Sequence, residues 1–284
     1  MTAETESTSI PVFPGLELTE EMRSSVTVEE RFVPGPAGAP DVRVLLYRPN
    51  SVEEPLPLIV SMHGGAFAMR PDSFPAIDAR LAMNGALVVS VDYRIVPEHP
   101  FPCGVEDCYA ALCWAVAELD IDPARVVVTG ASAGGALAAA VTLMARDRGG
   151  PAISFQALVI PVLDDRCETA SMRQYVEAPV FGANRARDMW NVYLGADADR
   201  SVTSPLAAPA RAETLAGLPP AFIQVNGLDP LRDEGIQYAL RLLAADVPVE
   251  LYCAPDQHHG MSVDPRTQAQ AGRLYQEAMQ AAIA

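Results

Sequence analysis

The sequence predicts an α/β fold: a mostly parallel central sheet of about eight strands, helices on both faces, and a small helical insertion over it. Three observations carry this. Short β-branched apolar runs alternate with longer helical stretches, the order that builds a parallel sheet covered on both sides. Several runs, among them LPLIVSM at 56–62 and GALVVSVDY at 85–93, are apolar nearly throughout, as strands buried on both faces are. Finally, the stretch VVVTGASAGG at 126–135 reads as strand, tight turn and helix start.

In order, residues 1–25 carry no strong amphipathic pattern, although Thr19 or Glu20 can open a short helix. Residues 25–33 and 41–47 alternate as strands, separated by the turn-rich PGPAGAP. The run 56–62 ends at His63-Gly64-Gly65-Ala66-Phe67, and a helix is expected over 74–84, closed by Gly85. The strand 85–93 leads into a loop with three prolines, and 105–119 is helical. After the strand at 126–129 an alanine-rich helix runs through Leu143 and Met144, and 155–163 (FQALVIPVL) is the next strand. From 164 to about 216 the β-branched runs stop and two aromatic-bearing helical pieces appear, near 172–175 and 187–194, which reads as an insertion over the sheet. Alternation then resumes: strand 220–226, amphipathic helix 233–246, strand 249–253 and a terminal helix over 266–283.

The chain has 284 residues, enough for one large α/β domain or two small ones, and half of them are hydrophobic. A net charge of −16 disfavours nucleic acid and anionic membranes as partners. No apolar run reaches the length of a membrane span, and the acidic MTAETESTSI does not read as a signal peptide, so a cytoplasmic location is expected. All basic residues are arginine; without lysine, Schiff-base chemistry, a P-loop and a Ser-Lys dyad are excluded. The five cysteines are expected to be free thiols. Cys103, Cys108 and Cys113 lie five apart, a spacing of about 500° on a helix, and form no CxxC pair; they read as buried small hydrophobes rather than metal ligands.

The G-x-S-x-G pattern at 130–134 holds Ser132 at the tip of a turn whose neighbours are all Gly or Ala, as crowding of strand and helix requires. A serine hydroxyl needs a base to take its proton, and histidine titrates near neutrality. His258 and His259 both follow the last strand and stand as alternatives for that base. Asp229, in the loop after the strand ending near Val225, is the first candidate for the carboxylate that orients the imidazole; Asp233, Glu234 and Asp256 are weaker ones. The order Ser, Asp, His, each just beyond a strand, matches one known arrangement of such triads. Gly64 and Gly65, with the N–H of Ala133, can supply backbone donors for a developing oxyanion. His63 is expected to brace that loop. Phe67, Met261 and His258 flank these groups and are the candidate substrate contacts.

Six stretches together resemble the hormone-sensitive-lipase-like branch of the α/β-hydrolases, the bacterial family IV esterases: HGGAF at 63–67, DYRIVPEHPFP at 92–102, EDCYAAL at 106–112, GASAGG at 130–135, DPLRDEG at 229–235 and HHGM at 258–261. The resemblance covers about 55 to 262. It implies an α/β-hydrolase fold, Ser132 as nucleophile, Asp229 as acid, His259 (the histidine before glycine) as base, and Gly64, Gly65 and Ala133 as oxyanion donors. It also implies residues 1–25 as an N-terminal cap segment and 26–284 as the catalytic domain, with a cap insertion at about 164–216. Relatives in that branch often carry Asp or Thr where Ala131 stands, Phe where Met261 stands, and HGGG rather than HGGA. The expected activity is hydrolysis of short- to medium-chain acyl esters through an acyl-enzyme, with no metal or organic cofactor, a reduced cap and an open apolar acyl pocket. Lactone hydrolysis is the nearest alternative, and a non-catalytic small-ligand receptor is the alternative of a different class. A homodimer is possible by analogy with related esterases.

Overall fold

The computed structural model describes residue 12 and residues 15–52, 55–195 and 197–284, with Met261 described by its backbone only. Eight strands form one sheet: β1 (Val26–Val33), β2 (Val42–Pro49), β3 (Leu56–Met62), β4 (Leu87–Asp92), β5 (Ile121–Ala131), β6 (Phe155–Val159), β7 (Ala221–Asn226) and β8 (Val249–Ala254). Their spatial order is β1-β2-β4-β3-β5-β6-β7-β8. β2 runs antiparallel to both β1 and β4; every later neighbour is parallel. β3 and β5 therefore lie side by side near the middle, and the loops leaving their C-terminal ends open at one edge, where ligands of such sheets bind.

The helices are α1 (Glu20–Ser25), α2 (Pro75–Met83), α3 (Cys103–Glu118), α4 (Ala133–Arg148), α5 (Ala170–Gln174), α6 (Ala183–Leu194), α7 (Arg232–Ala244) and α8 (Pro265–Ile283). Side chains alternate strictly across the central strands. Leu58, Val60 and Met62 of β3 and Val126 and Val128 of β5 join one core with residues of α3, α4, α6 and α7. Ile59 and Val127 face the other way, into a core completed by α1, α2 and α8 through Met22, Ala76, Ala79, Ala278 and Met279. That second face also carries a polar row. Ser61 is in register with Ser90 and with Thr129, and the Thr129 hydroxyl bonds the Ala157 carbonyl and the Tyr275 hydroxyl. Asp78 of α2 completes the row, and burial pushes its carboxyl up.

The eight strands stand near where the sequence places them, with three corrections, the first being that β5 runs over Ile121–Ala131 rather than 126–129. β6 ends at Val159 rather than at 163, because Ile160 turns away with φ +43 and its N–H bonds Gln224 O. A short hairpin of β9 (Gln257–His258) and β10 (Met261–Ser262) was not expected; two residues carry no periodicity to read. Thr19 caps α1 by accepting from the Met22 N–H, while residues 1–11, 13 and 14 of the expected cap segment lie outside the described residues. All five cysteines are free thiols, as expected; of the three read as buried, Cys108 is, whereas Cys103 and Cys113 are half-buried, and elsewhere Cys167 is buried and Cys253 exposed. No described helix is long and apolar enough to cross a membrane.

Candidate active site

β5 delivers Ser132 to the sheet edge, and α4 begins at the next residue. Ser132 sits at φ +56, ψ −118, a conformation L-residues rarely adopt and one found where surrounding structure over-determines it. Part of that determination is close approach. A Cβ on Gly134 would lie 1.9 Å from Met62 O, so the helix start could not pack on β3 with any other residue. The rest is backbone bonding. Ser132 N–H donates to Val159 O at 2.9 Å, and Ser132 O accepts from Gly135, Ala136 and Val162 N–H at 3.0, 3.2 and 3.1 Å. Four bonds to β6, its exit loop and the helix thus hold the turn that Ala131 has no polar side chain to hold.

The base and acid come from two loops knitted to each other. Leu228 N–H donates to Gln257 O (2.9 Å), Gly227 N–H to Ala254 O (2.8 Å) and Asn226 Nδ2 to His258 O (2.8 Å). This brings three side chains into line. His259 Nε2 lies 2.9 Å from Ser132 Oγ, and His259 Nδ1 lies 2.7 Å from Asp229 Oδ2. The second Asp229 oxygen accepts the Leu231 N–H at 2.9 Å. Asp229 is fully buried and His259 is 6% exposed. An acid-only acceptor at Nδ1 requires the proton there, which leaves the Nε2 lone pair to accept the serine hydroxyl. A half-buried hydroxyl with a base at hydrogen-bond distance, itself oriented by a buried carboxylate, is the arrangement of a base-activated nucleophile.

The competing acids point elsewhere. Asp233 accepts the Ser171 N–H at 2.7 Å and pairs with Arg232 at 2.8 Å. Burial opposes its charge, but Arg232 and the Ser171 N–H together hold its pKa below the ordinary value. Glu234 accepts the Leu163 and Asp164 N–H groups at 2.7 and 3.3 Å, and burial raises its carboxyl well above the carboxylate range. Asp256 is an exposed turn residue at φ +54.

Backbone donors flank the serine. A Cβ on Gly64 would stand 3.6 Å from Ser132 Cβ, so that glycine's backbone lies beside the nucleophile. Gly65 has φ +101, a turn residue conformation. Ala133 is the first residue of α4, where N–H groups have no intrahelical partner. Among the described residues, no hydrogen bond uses the N–H of Gly64, Gly65 or Ala133. Behind this loop, His63 Nδ1 donates to Gly64 O (2.9 Å), its ring stacks on Tyr93 (4.2 Å, 8°), and the Tyr93 hydroxyl donates to His63 O (2.9 Å). Burial lowers the His63 pKa to about 4.

Two expected substrate contacts are corrected. Phe67 is 1% exposed, stacked 3.7 Å from Tyr193 and near Trp190; an apolar ring at φ +61 gains more from that aromatic cluster than from an open cleft. His258 is turned away, its Nδ1 on Leu228 O at 3.2 Å, and serves to bind the acid loop to the base loop. The Met261 side chain lies outside the described residues. A cavity of about 460 Å³ lined by Arg43, Arg70, Asp92, Arg94 and neighbours is charged and includes no member of the Ser132–His259–Asp229 line. Sequence reasoning missed Phe181, whose ring lies 4.7 Å from the His259 imidazole. Val180-Phe181-Gly182 has no periodicity or motif that could have flagged it.

A serine on a strand–turn–helix elbow, with acid and base on later loops of one parallel sheet, defines the α/β-hydrolase class of architecture. A model of the α/β-hydrolase fold family matches residues 59–263. The chain is 40% identical over 256 residues to carboxylesterase NlhH of Mycobacterium tuberculosis, covering 86% of this chain and 78% of that protein. It is 37% identical over 246 residues to esterase LipI of the same organism, covering 85% and 77%. A solved structure of a bacterial heroin esterase superposes with TM-score 0.87 at 40% identity, covering 92% of this chain and 85% of that one. The chain belongs to the α/β-hydrolase family, in its hormone-sensitive-lipase-like branch.

Proposed function

We propose that this protein is a serine carboxylesterase acting on short- to medium-chain acyl esters through an acyl-enzyme. The observation that carries the reading is the buried line Asp229–His259–Ser132, at 2.7 and 2.9 Å. The names of its relatives, a carboxylesterase and an esterase, support the same class.

In the first half-reaction Ser132 Oγ bonds to the ester carbonyl carbon while its proton passes to His259 Nε2. Asp229 stabilises the imidazolium through the Nδ1–H bond. The carbonyl oxygen becomes an oxyanion facing the N–H groups of Gly64, Gly65 and Ala133, the last at the positive end of a 16-residue helix. When the tetrahedral intermediate collapses, the ester C–O bond breaks and the alcohol leaves with the proton from His259. Water then gives a proton to His259 and bonds to the acyl carbon; collapse returns that proton to Ser132 Oγ and frees the carboxylic acid. The segment 164–216, with α5 and α6, is the cap over this edge.

A panel of p-nitrophenyl esters from two to twelve acyl carbons tests the class and the length preference together. The expected result is turnover greatest among the shorter members, with a diethyl phosphoryl reagent labelling Ser132 and abolishing it. A purified chain that turns over no ester and leaves Ser132 unlabelled would sink the reading. A chain that opens lactones faster than it cleaves any ester would sink the substrate class alone.

A further inference from the structure

We propose that Phe181 is a positioning residue for His259: its ring fixes the plane of the imidazole and stabilises the imidazolium that forms in each half-reaction. The inference rests on reading Ser132–His259–Asp229 as the hydrolytic triad. The two hydrogen bonds at Nδ1 and Nε2 hold the ends of the imidazole but leave its tilt about the line between them less constrained. The Phe181 ring supplies a third, tilted contact, with centroids 4.7 Å apart and planes 36° apart. That lies within the roughly 6 Å over which an aromatic face attracts a cation. When Ser132 Oγ becomes bonded to the acyl carbon, it no longer donates to Nε2, and the ring contact remains.

The way the chain delivers this ring supports a specific placement. Phe181 N–H donates to Pro179 O at 2.7 Å, closing a γ-turn whose central residue, Val180, sits at φ +65. A β-branched residue rarely adopts that conformation, and such strain persists where the surroundings enforce it. The surroundings are visible. Ala183 N–H to Tyr175 O (3.0 Å) closes the base of the loop, and Arg185 bonds Val180 O. The Tyr175 hydroxyl donates to Gly227 O (3.2 Å), on the loop that carries Asp229. One segment of the insertion thus touches the loop of the acid and the ring of the base.

Few other charged groups bear on that imidazole. Asp229 holds Nδ1, and the hydroxyl of Ser132 stands at Nε2. His258 is turned to Leu228 O, and Glu234 lies on the Leu163 and Asp164 N–H groups. On the Phe181 segment, Glu177 is paired with Asn184 and Arg185 with the Val180 carbonyl. None of these pairings uses the Phe181 side chain.

The test is the pH profile of kcat/KM and kcat on an aryl acetate for wild type, Phe181→Leu and Phe181→Tyr. Leucine keeps the apolar cover but removes the aromatic face. It should lower kcat about three- to tenfold with KM within about twofold, and move the midpoint of the acid limb down by about half a pH unit. Tyrosine should restore both. A ring that merely excludes water predicts the opposite sign, because a wetter imidazole holds its proton to higher pH. An acid limb that moves up, or one that stays put in Phe181→Leu with kcat unchanged, overturns the proposal. If Phe181→Leu does not fold, Phe181→Trp decides: a retained acid limb supports the ring's role and a lowered one overturns it. Turnover surviving in Ser132→Ala would instead sink the triad reading, whatever Phe181 does.

Discussion

His63 and His259 each directly follow a strand, each stands before a glycine, and each is 6% exposed. Their chemistry differs because their partners differ. His259 has a buried carboxylate on Nδ1 and a hydroxyl on Nε2, so gaining a proton at Nε2 is compensated as it happens. His63 spends Nδ1 on the Gly64 carbonyl, its Nε2 is buried without a partner among the described residues, and its ring stacks with Tyr93 and Phe74. Protonating it would bury an uncompensated cation, which is why its pKa falls to about 4. Equal burial with different partners thus leaves His259 between a carboxylate and a hydroxyl and His63 as a brace.

The largest effects should come from breaking the His259 side. Ser132→Ala or Asp229→Asn should reduce kcat by about 10³ to 10⁴-fold, whereas Asp233→Asn, whose carboxylate serves Ser171 and Arg232, should stay within about tenfold of wild type. Steady-state ester hydrolysis decides it; a greater loss in Asp233→Asn would reverse the assignment of the acid. On the His63 side the expected effect is on stability. The folded state keeps this group neutral down to about pH 4 while the unfolded chain protonates near 6.5. The contribution is therefore fully present above about pH 6.5 and lost as pH falls to about 4, a span of about 3 kcal/mol. Urea unfolding at a series of pH values should show the advantage of wild type over His63→Gln shrinking across that window. A constant difference would mean that His63 titrates alike in both states.

Tyr93→Phe sharpens the comparison further. It keeps the stack on His63 but removes the hydroxyl bond to His63 O, and should cost about 1 kcal/mol in the same unfolding experiment. The smallest effect is expected at Glu234. Its raised carboxyl opposes stability as pH rises above the unfolded value, so Glu234→Gln should melt no lower than wild type at pH 8 and lose part of its pH dependence. A fall in melting temperature for Glu234→Gln alone at pH 8 would show that the charged form is what binds the Leu163 N–H.

The strands were legible because burial on both faces leaves long apolar runs, and the elbow because only Gly and Ala fit where β5 and α4 converge. Ser132 and Asp229 could be read from strand–loop position, and His259 from the resemblance carried by HHGM. The parts that stayed hidden are those with no period. Residues 175–182 follow a γ-turn and several side-chain bonds, so Phe181 carries no signal in its neighbours' identities. Phe67 misled because an aromatic beside a glycine loop reads as a substrate contact, while Tyr193, 126 positions away in the chain, was waiting to cover it.

By itself the sequence determined the alternating strands and helices, the glycine turn and the chemical types at its edge, since these depend on local pattern and on the space each residue needs. Tertiary structure alone decided how closely the loops of Ser132, His259 and Asp229 meet, where the other carboxylates are turned, and what covers the imidazole. Those choices rest on distances between loops far apart in sequence, and no local preference encodes a 2.7 Å contact between residues 229 and 259.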